Sequence, residues 1–117
     1  MTIIVLPWPP KPLTPNHRSR SHWPRTNALK KAREDGYYAT KAAKVGICAG
    51  DVPIILRATF NPPGRYHYDR DGLLSSMKGY FDGIADALGV DDFWFRPEPP
   101  IVGEPIKGGR VTVEVIA

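Results

Sequence analysis

The stretch His67–Asp92, HYDRDGLLSSMKGYFDGIADALGVDD, constrains the chain most, because two periodicities are superimposed in it. Leu74, Met77, Phe81, Ile84 and Leu88 recur at three and four residues, which is one face of a helix. At about 100° per residue they fall within an arc of roughly 80°. Asp71, Ser75, Lys78 and Asp82 make a second stripe within about 60° of one another, beside the apolar one and away from any sheet. Asp69 precedes this helix, and Asp91 and Asp92 follow it once Gly89 has ended it. The segment must therefore bury one face and display carboxylates on the next.

Six of the twelve acidic residues lie in this stretch: Asp69, Asp71, Asp82, Asp86, Asp91 and Asp92. The chain around them is basic. Met1 to Tyr68 carries eleven Lys and Arg against Glu34, Asp35 and Asp51, and the whole chain has a net charge of +4. Packing does not call for gathered carboxylates, since close acids repel and each costs desolvation. A metal ion removes the repulsion, and carboxylate oxygens are what Mg²⁺ and Mn²⁺ prefer. A basic surface around such a site suits a polyanion. The residues point to metal-assisted cleavage of a nucleic-acid phosphodiester. Asp86 reads as an ordinary solvated helix position, and Asp82 as a partner for Lys78 at i,i+4 or an outer ligand.

With 117 residues the chain is long enough for one domain with a real core, here taken as 1–117. No apolar run reaches transmembrane length, and Thr2–Leu6 is too short for a signal peptide. The lone Cys48 excludes an internal disulfide framework, fits a reducing cytosol, and reads as a small buried residue.

Taken in order, Thr2–Leu6 reads as a buried strand. Pro7 to Arg25 is proline-rich and carries Lys11, Arg18, Arg20 and Arg25 among Trp8, His17, His22 and Trp23. Two readings stand for it: a loop contacting nucleic acid through arginine and aromatic rings, or a solvated loop whose tryptophans cap the core. Asn27 to about Val45 is a helix with a small face at Leu29, Ala32, Gly36 and Ala43, and Gly36 suits close approach to another backbone. Pro53–Phe60 alternates, as a half-buried strand does. Ile101–Val102 is a short strand, Lys107–Arg110 a turn, and Val111–Val115 a last strand. The order predicts an α+β domain with two main helices on a small mixed β-sheet.

Familiar motifs fail. Asp69-Arg-Asp71 lacks the sixth-position glycine of a calcium loop, no glycine-rich phosphate loop is present, and His17 with His22 has no cysteine pair or metal-binding helix beside it.

A set of motifs is specific in combination. Asp69-Arg-Asp71 opens the helix, Lys78 lies on it, Asp82-Gly-Ile84 follows, and Asp91-Asp92 comes after a glycine. Leu6-Pro-Trp-Pro-Pro10 stands at one end and Lys107-Gly-Gly-Arg110-Val at the other. In order and spacing, over nearly the whole chain, these resemble the RusA-type Holliday-junction resolvases of phages and prophages. Two departures are plain: Gly72 stands where that family usually has Asn, and Lys78 follows Asp71 by seven residues where some members have four. Phe93 and Trp94 also follow the acidic pair where smaller or polar residues are common.

The resemblance implies a RusA-like homodimer that resolves four-way DNA junctions by paired, Mg²⁺-dependent nicking, with Mn²⁺ as a substitute ion, in the bacterial cytoplasm. It implies catalytic roles for Asp69, Asp71, Lys78 and Asp92, and metal ligation by Asp69, Asp71 and the pair Asp91–Asp92. DNA contacts are expected at Arg18, Arg20, Arg25, Arg70, Lys107 and Arg110. Exposed aromatics, Trp94 and Phe95 among them, are expected to mark the dimer interface. Two alternatives remain at this point: a non-cleaving protein that binds branched or single-stranded DNA, and a nuclease acting on flaps or duplex ends.

Overall fold

A computed structural model describes residues 2–10, 23–45, 52–65 and 69–116, with side chains in the first helix described from Thr26 onward. The elements are β1 (Thr2–Leu6), α1 (Trp23–Ala42), β2 (Ile54–Asn61), α2 (Arg70–Ser75), α3 (Lys78–Leu88), a 3₁₀ turn (Asp92–Trp94), β3 (Phe95–Pro97), β4 (Ile101–Val102) and β5 (Arg110–Ile116). The fold is α+β with a mixed sheet, as the element order predicts. Cys48, His17, His22, Arg18 and Arg20 lie outside the described residues.

The sheet runs β1-β5-β2-β3, with β4 also on β2. β5 is antiparallel to both β1 and β2, whereas β3 and β4 run parallel to β2. A parallel neighbour requires a crossover, and α2 with α3 supplies it. Nineteen helical and turn positions, Arg70 to Leu88, rise about 28 Å, while eight strand residues span about 26 Å. The crossover is thus long enough to return the chain to the start of β2, where Phe95 pairs with Ile54.

Alternation decides which face of the sheet is covered. Ile54, Leu56, Ala58 and Phe60 of β2 are buried, as are Ile4 and Leu6 of β1 and Val111, Val113 and Val115 of β5. Each fully buried aliphatic of this kind contributes about 1.5–3 kcal/mol. The helices cover that face. On the other, Ile3, Val5 and Ile55 remain exposed around an ion cluster in which Arg57 holds Glu98 at 3.0 Å and Glu114 at 3.3 Å. Trp8 meets Phe60 edge-on at 5.9 Å, so this tryptophan caps the core.

The helix of the acidic stretch is two helices rather than one. α2 ends at Ser75, Ser76 and Met77 form a turn, and α3 begins at Lys78. Ser76 shows why: its Oγ donates to Leu73 O at 2.6 Å and its N–H is shared between Gly72 O and Leu73 O. Such side-chain bonding competes with the regular ladder. The break rotates the buried face away from the expected stripe. Met77, Tyr80 and Ile84 are fully buried, whereas Leu74, Phe81 and Leu88 are only half-buried. Gly89 ends α3 in the left-handed conformation, φ 70°, as its position predicts.

α1 and α3 approach closely because both present small residues. The buried stripe of α1 is Ala28, Ala32, Gly36 and Thr40, which differs from the expected face at its two ends but keeps Ala32 and Gly36. Opposite lie Gly79 and Gly83. A Cβ on Gly79 would come 2.7 Å from Ala32 Cβ, and one on Gly83 would collide with Arg33 O. Tyr80, fully buried between them, donates its hydroxyl to Pro7 O at 2.8 Å and ties α3 to the end of β1.

Gly83→Ala should therefore destabilise the fold by about 2–3 kcal/mol, since the obstacle is backbone and cannot swing aside. Gly108→Ala, with open space around it and only the left-handed backbone (φ 81°) to lose, should cost less. Urea midpoints for the two variants check the ranking.

Candidate active site

The site is built where α3, the 3₁₀ turn and the start of β3 meet. Asp82 stands one turn after Lys78, and their side chains pair at 3.8 Å. Asp92 opens the 3₁₀ turn, which is held by Asp91: the Asp91 carboxylate accepts the Phe93 N–H at 2.9 Å. The crossover brings this turn back against α3, so that Asp82 and Asp92 line the same two clefts and feel each other's charge.

The electrostatics follow from that geometry. Burial, opposed by Lys78 and reinforced by Asp92, raises the Asp82 carboxyl above its ordinary value. Asp86 behaves oppositely. Its carboxylate receives Arg33 in a two-point pair, 2.6 Å from Nε and 2.9 Å from Nη2, which lowers its pKa against a smaller desolvation effect. Asp86 is exposed, as the reading of a solvated helix position has it, and the clamp adds a distant partner. Fifty-three residues separate the partners, so the sequence carries no local signal for it.

Two clefts meet at Asp82 and Asp92. One, about 340 Å³, opens over α2, α3 and β3. The other, about 230 Å³, holds Arg33, Asp86 and Asp91 as well. Arg33 also feels the charges of Asp82 and Asp92, so a guanidinium borders the carboxylate pair on the α1 side.

The remaining expected site residues are dispersed. Asp69 caps α2, accepting the Asp71 N–H at 3.2 Å. Asp71 is exposed in the first turn of α2, one turn before Ser75 on the rim of the larger cleft, about 6 Å of helical rise away. Arg70 is exposed beside it, and Lys107 and Arg110 are exposed at the β5 turn. Arg25 falls in the first turn of α1. Trp94 is half-buried and Phe95 is buried, because β3 turns the Phe95 ring into the core, where it meets Phe81 edge-on at 6.3 Å. Phe95 is thus removed from the expected interface aromatics. Phe93 is exposed instead, with Arg96 over its ring.

Among the described residues no group of three or more His, Cys, Asp or Glu side chains stands close enough to hold a metal ion. Asp69, Asp71 and Asp92 are therefore not gathered into one ligand set. What is gathered is a pair. Two carboxylates are within the number Mg²⁺ takes from a protein, the rest of its octahedron being water and phosphate oxygen. A divalent cation would also offset the burial and the neighbouring charge that raise the Asp82 carboxyl, so the pair fits such an ion.

No family model matches the chain. An uncharacterized protein of Xylella fastidiosa is 40% identical to it over 120 residues, covering 98% of this chain and 76% of that protein. The chain belongs to the family of that protein. No helix among the described residues is long and apolar enough to cross a membrane.

The Asp82 shift has a definite sign for stability. A carboxyl whose folded pKa is raised contributes fully below its unfolded value and loses that contribution as pH rises through the folded value. Asp82→Asn cannot ionise, so in metal-free buffer it should be more stable than the wild type at pH 7. The two should coincide below about pH 4. Urea unfolding across that range measures the difference, and divalent cation should narrow it at pH 7 by stabilising the wild type alone.

Proposed function

We propose that the protein is a metal-dependent endonuclease of the RusA-type junction-resolving kind, cutting phosphodiester bonds in branched DNA. The observation that carries this reading is that Asp82 on α3, Asp92 on the following 3₁₀ turn and Lys78 line one cleft on a basic chain. The motif resemblance adds the substrate class. A bound Mg²⁺ supplies charge neutralisation at the phosphate and an activated water.

The chain's own groups have separable tasks. Asp82 and Asp92 would hold the cation, whereas Asp71, to which the resemblance gives that role, stands apart from them at the start of α2. Lys78, largely exposed and only loosely paired with Asp82, turns its ammonium to the non-bridging phosphate oxygens, where charge builds in the transition state. Arg33 is fixed by Asp86 and keeps a positive group at the border of the pair. Arg70, Lys107, Arg110 and the arginines of 18–25 serve the DNA backbone, which makes binding salt-dependent.

The decisive test uses labelled four-way junction, flap and plain duplex, with and without Mg²⁺. The wild type should cut the junction only with the metal. Asp92→Asn and Lys78→Ala should each slow single-turnover cleavage by about 10²-fold or more, with junction affinity retained. Binding without cleavage by the wild type would favour the non-cleaving junction binder.

A junction has two-fold symmetry, and one small chain presents one carboxylate pair, so the reading includes an isologous dimer. The exposed apolar side chains of the open sheet face, Ile3, Val5 and Ile55, supply surface suited to it. Sedimentation equilibrium should give about twice the 13.0 kDa chain mass. A cruciform plasmid should pass directly to linear product with little nicked circle, because the second cut is effectively intramolecular.

A further inference from the structure

We propose that the larger cleft beside Asp82 and Asp92 is a nucleobase pocket, which receives one unstacked base of the strand whose phosphate meets Lys78. The proposal rests on the DNA-cutting reading above and adds how a branched substrate is told from a plain duplex.

The cleft has two unlike parts. Its floor is apolar and partly aromatic: Leu74 from the end of α2, Phe81 from α3, and Phe95 and Pro97 from β3. The Phe81 and Phe95 rings pack edge-to-face at 6.3 Å, which makes one continuous aromatic part of the lining. Its rim is polar: Ser75, Lys78, Asp82 and Asp92. At about 340 Å³ the space lies at the small end of the range for organic ligands, which suits a single ring system rather than an extended molecule.

Charge decides what kind of ring. An apolar side chain of another protein seated on this floor would shut Lys78 and both carboxylates away from water without new partners, at a cost of several kcal/mol. A nucleotide satisfies the same groups. Its base covers the apolar floor and its phosphate meets the Lys78 ammonium, while a cation, if held by Asp82 and Asp92, would supply further charge neutralisation. Ser75 already donates its hydroxyl hydrogen to Gly72 O at 3.0 Å, so its oxygen presents an acceptor to a base N–H.

The pocket would act as a filter on DNA shape. Inside a continuous duplex, moving a base out of the stack costs a few kcal/mol, whereas a base at a crossover or flap has already lost a neighbour. A base that enters the cleft brings its own phosphate to the carboxylate pair. A stacked base leaves the phosphate outside it.

The test uses thymidine 5′-monophosphate and its abasic counterpart, 2-deoxyribose 5-phosphate, titrated by NMR into the protein with Ca²⁺, which binds carboxylate and phosphate oxygens without supporting Mg²⁺-type turnover. The nucleotide should bind at least about tenfold more tightly than the sugar phosphate and should shift the Phe81 and Phe95 ring signals. Ser75→Trp, at an exposed position, fills the cleft and should abolish that preference, bringing nucleotide and sugar phosphate to equal affinity. Equal binding of the two phosphates, ring signals that do not move, or an unchanged preference in Ser75→Trp would each overturn the pocket. So would a Ser75→Trp change in sedimentation mass with nucleotide binding intact, which would assign the cleft to a second copy of the chain. The titration needs no cleavage, so it stands if no DNA is cut. Conversely, a wild type that cuts junctions and tolerates an abasic site at every position near the cut would overturn the pocket and keep the nuclease.

Discussion

The contact of α1 with α3 through Gly36, Gly79 and Gly83 governs the rest of the architecture. Backbones this close leave no freedom for either helix to roll, so the rotation of α3 about its axis is set by shape rather than by the strength of any one bond. Tyr80 then points down to Pro7, and Lys78 and Asp82 must point out. The same approach places Arg33 against Asp86 and, through it, beside the carboxylate pair. An exposed ion pair contributes little to stability by itself. Here its effect is positional: a guanidinium on one helix is held at a fixed distance from acids on another.

That constraint also explains the cost carried by the site. Asp82 is partly buried, feels a second carboxylate, and has Lys78 as a loose partner with the Arg33 charge acting more weakly. A fold optimised for stability alone would have a neutral residue there. Retaining the acid makes sense where a cation and a phosphate complete the arrangement, and it places the strain in charge rather than in backbone geometry.

Much of this is legible in the amino-acid sequence, because it depends on local periodicity. Alternation in Pro53–Phe60 and Val111–Val115 marks the strands and their inward faces, and Gly89 marks the helix end. The pairing of Lys78 with Asp82 follows from a spacing of four. What escapes a linear reading depends on rotation and on distant partners. Ser76 breaks the long helix, and a serine inside a helical pattern is too common to announce a break. The Arg33–Asp86 clamp and the proximity of Asp82 to Asp92 are tertiary facts. The resemblance implies metal ligation by Asp69 and Asp71, yet Asp69 is occupied in capping α2, a role any D-x-D at a helix start can fill.

The two margins of the sheet are unlike. Along β2 the outer partner is split into strands of three and two residues, interrupted by Pro99 and Pro100, with Pro97 lacking an amide hydrogen within β3. Such a border cannot be extended by a further strand, since the hydrogen-bonding row is never continuous. At the opposite side β1 is outermost among the described residues, five residues long and free of proline between Thr2 and Leu6. Among the described residues, polymerisation by strand addition is therefore closed on one flank and open on the other. Conditions that loosen the chain, such as heating or low pH during purification, should recruit new strands along β1, and a lysine or proline introduced there would protect the protein in storage without touching the chemistry at α3.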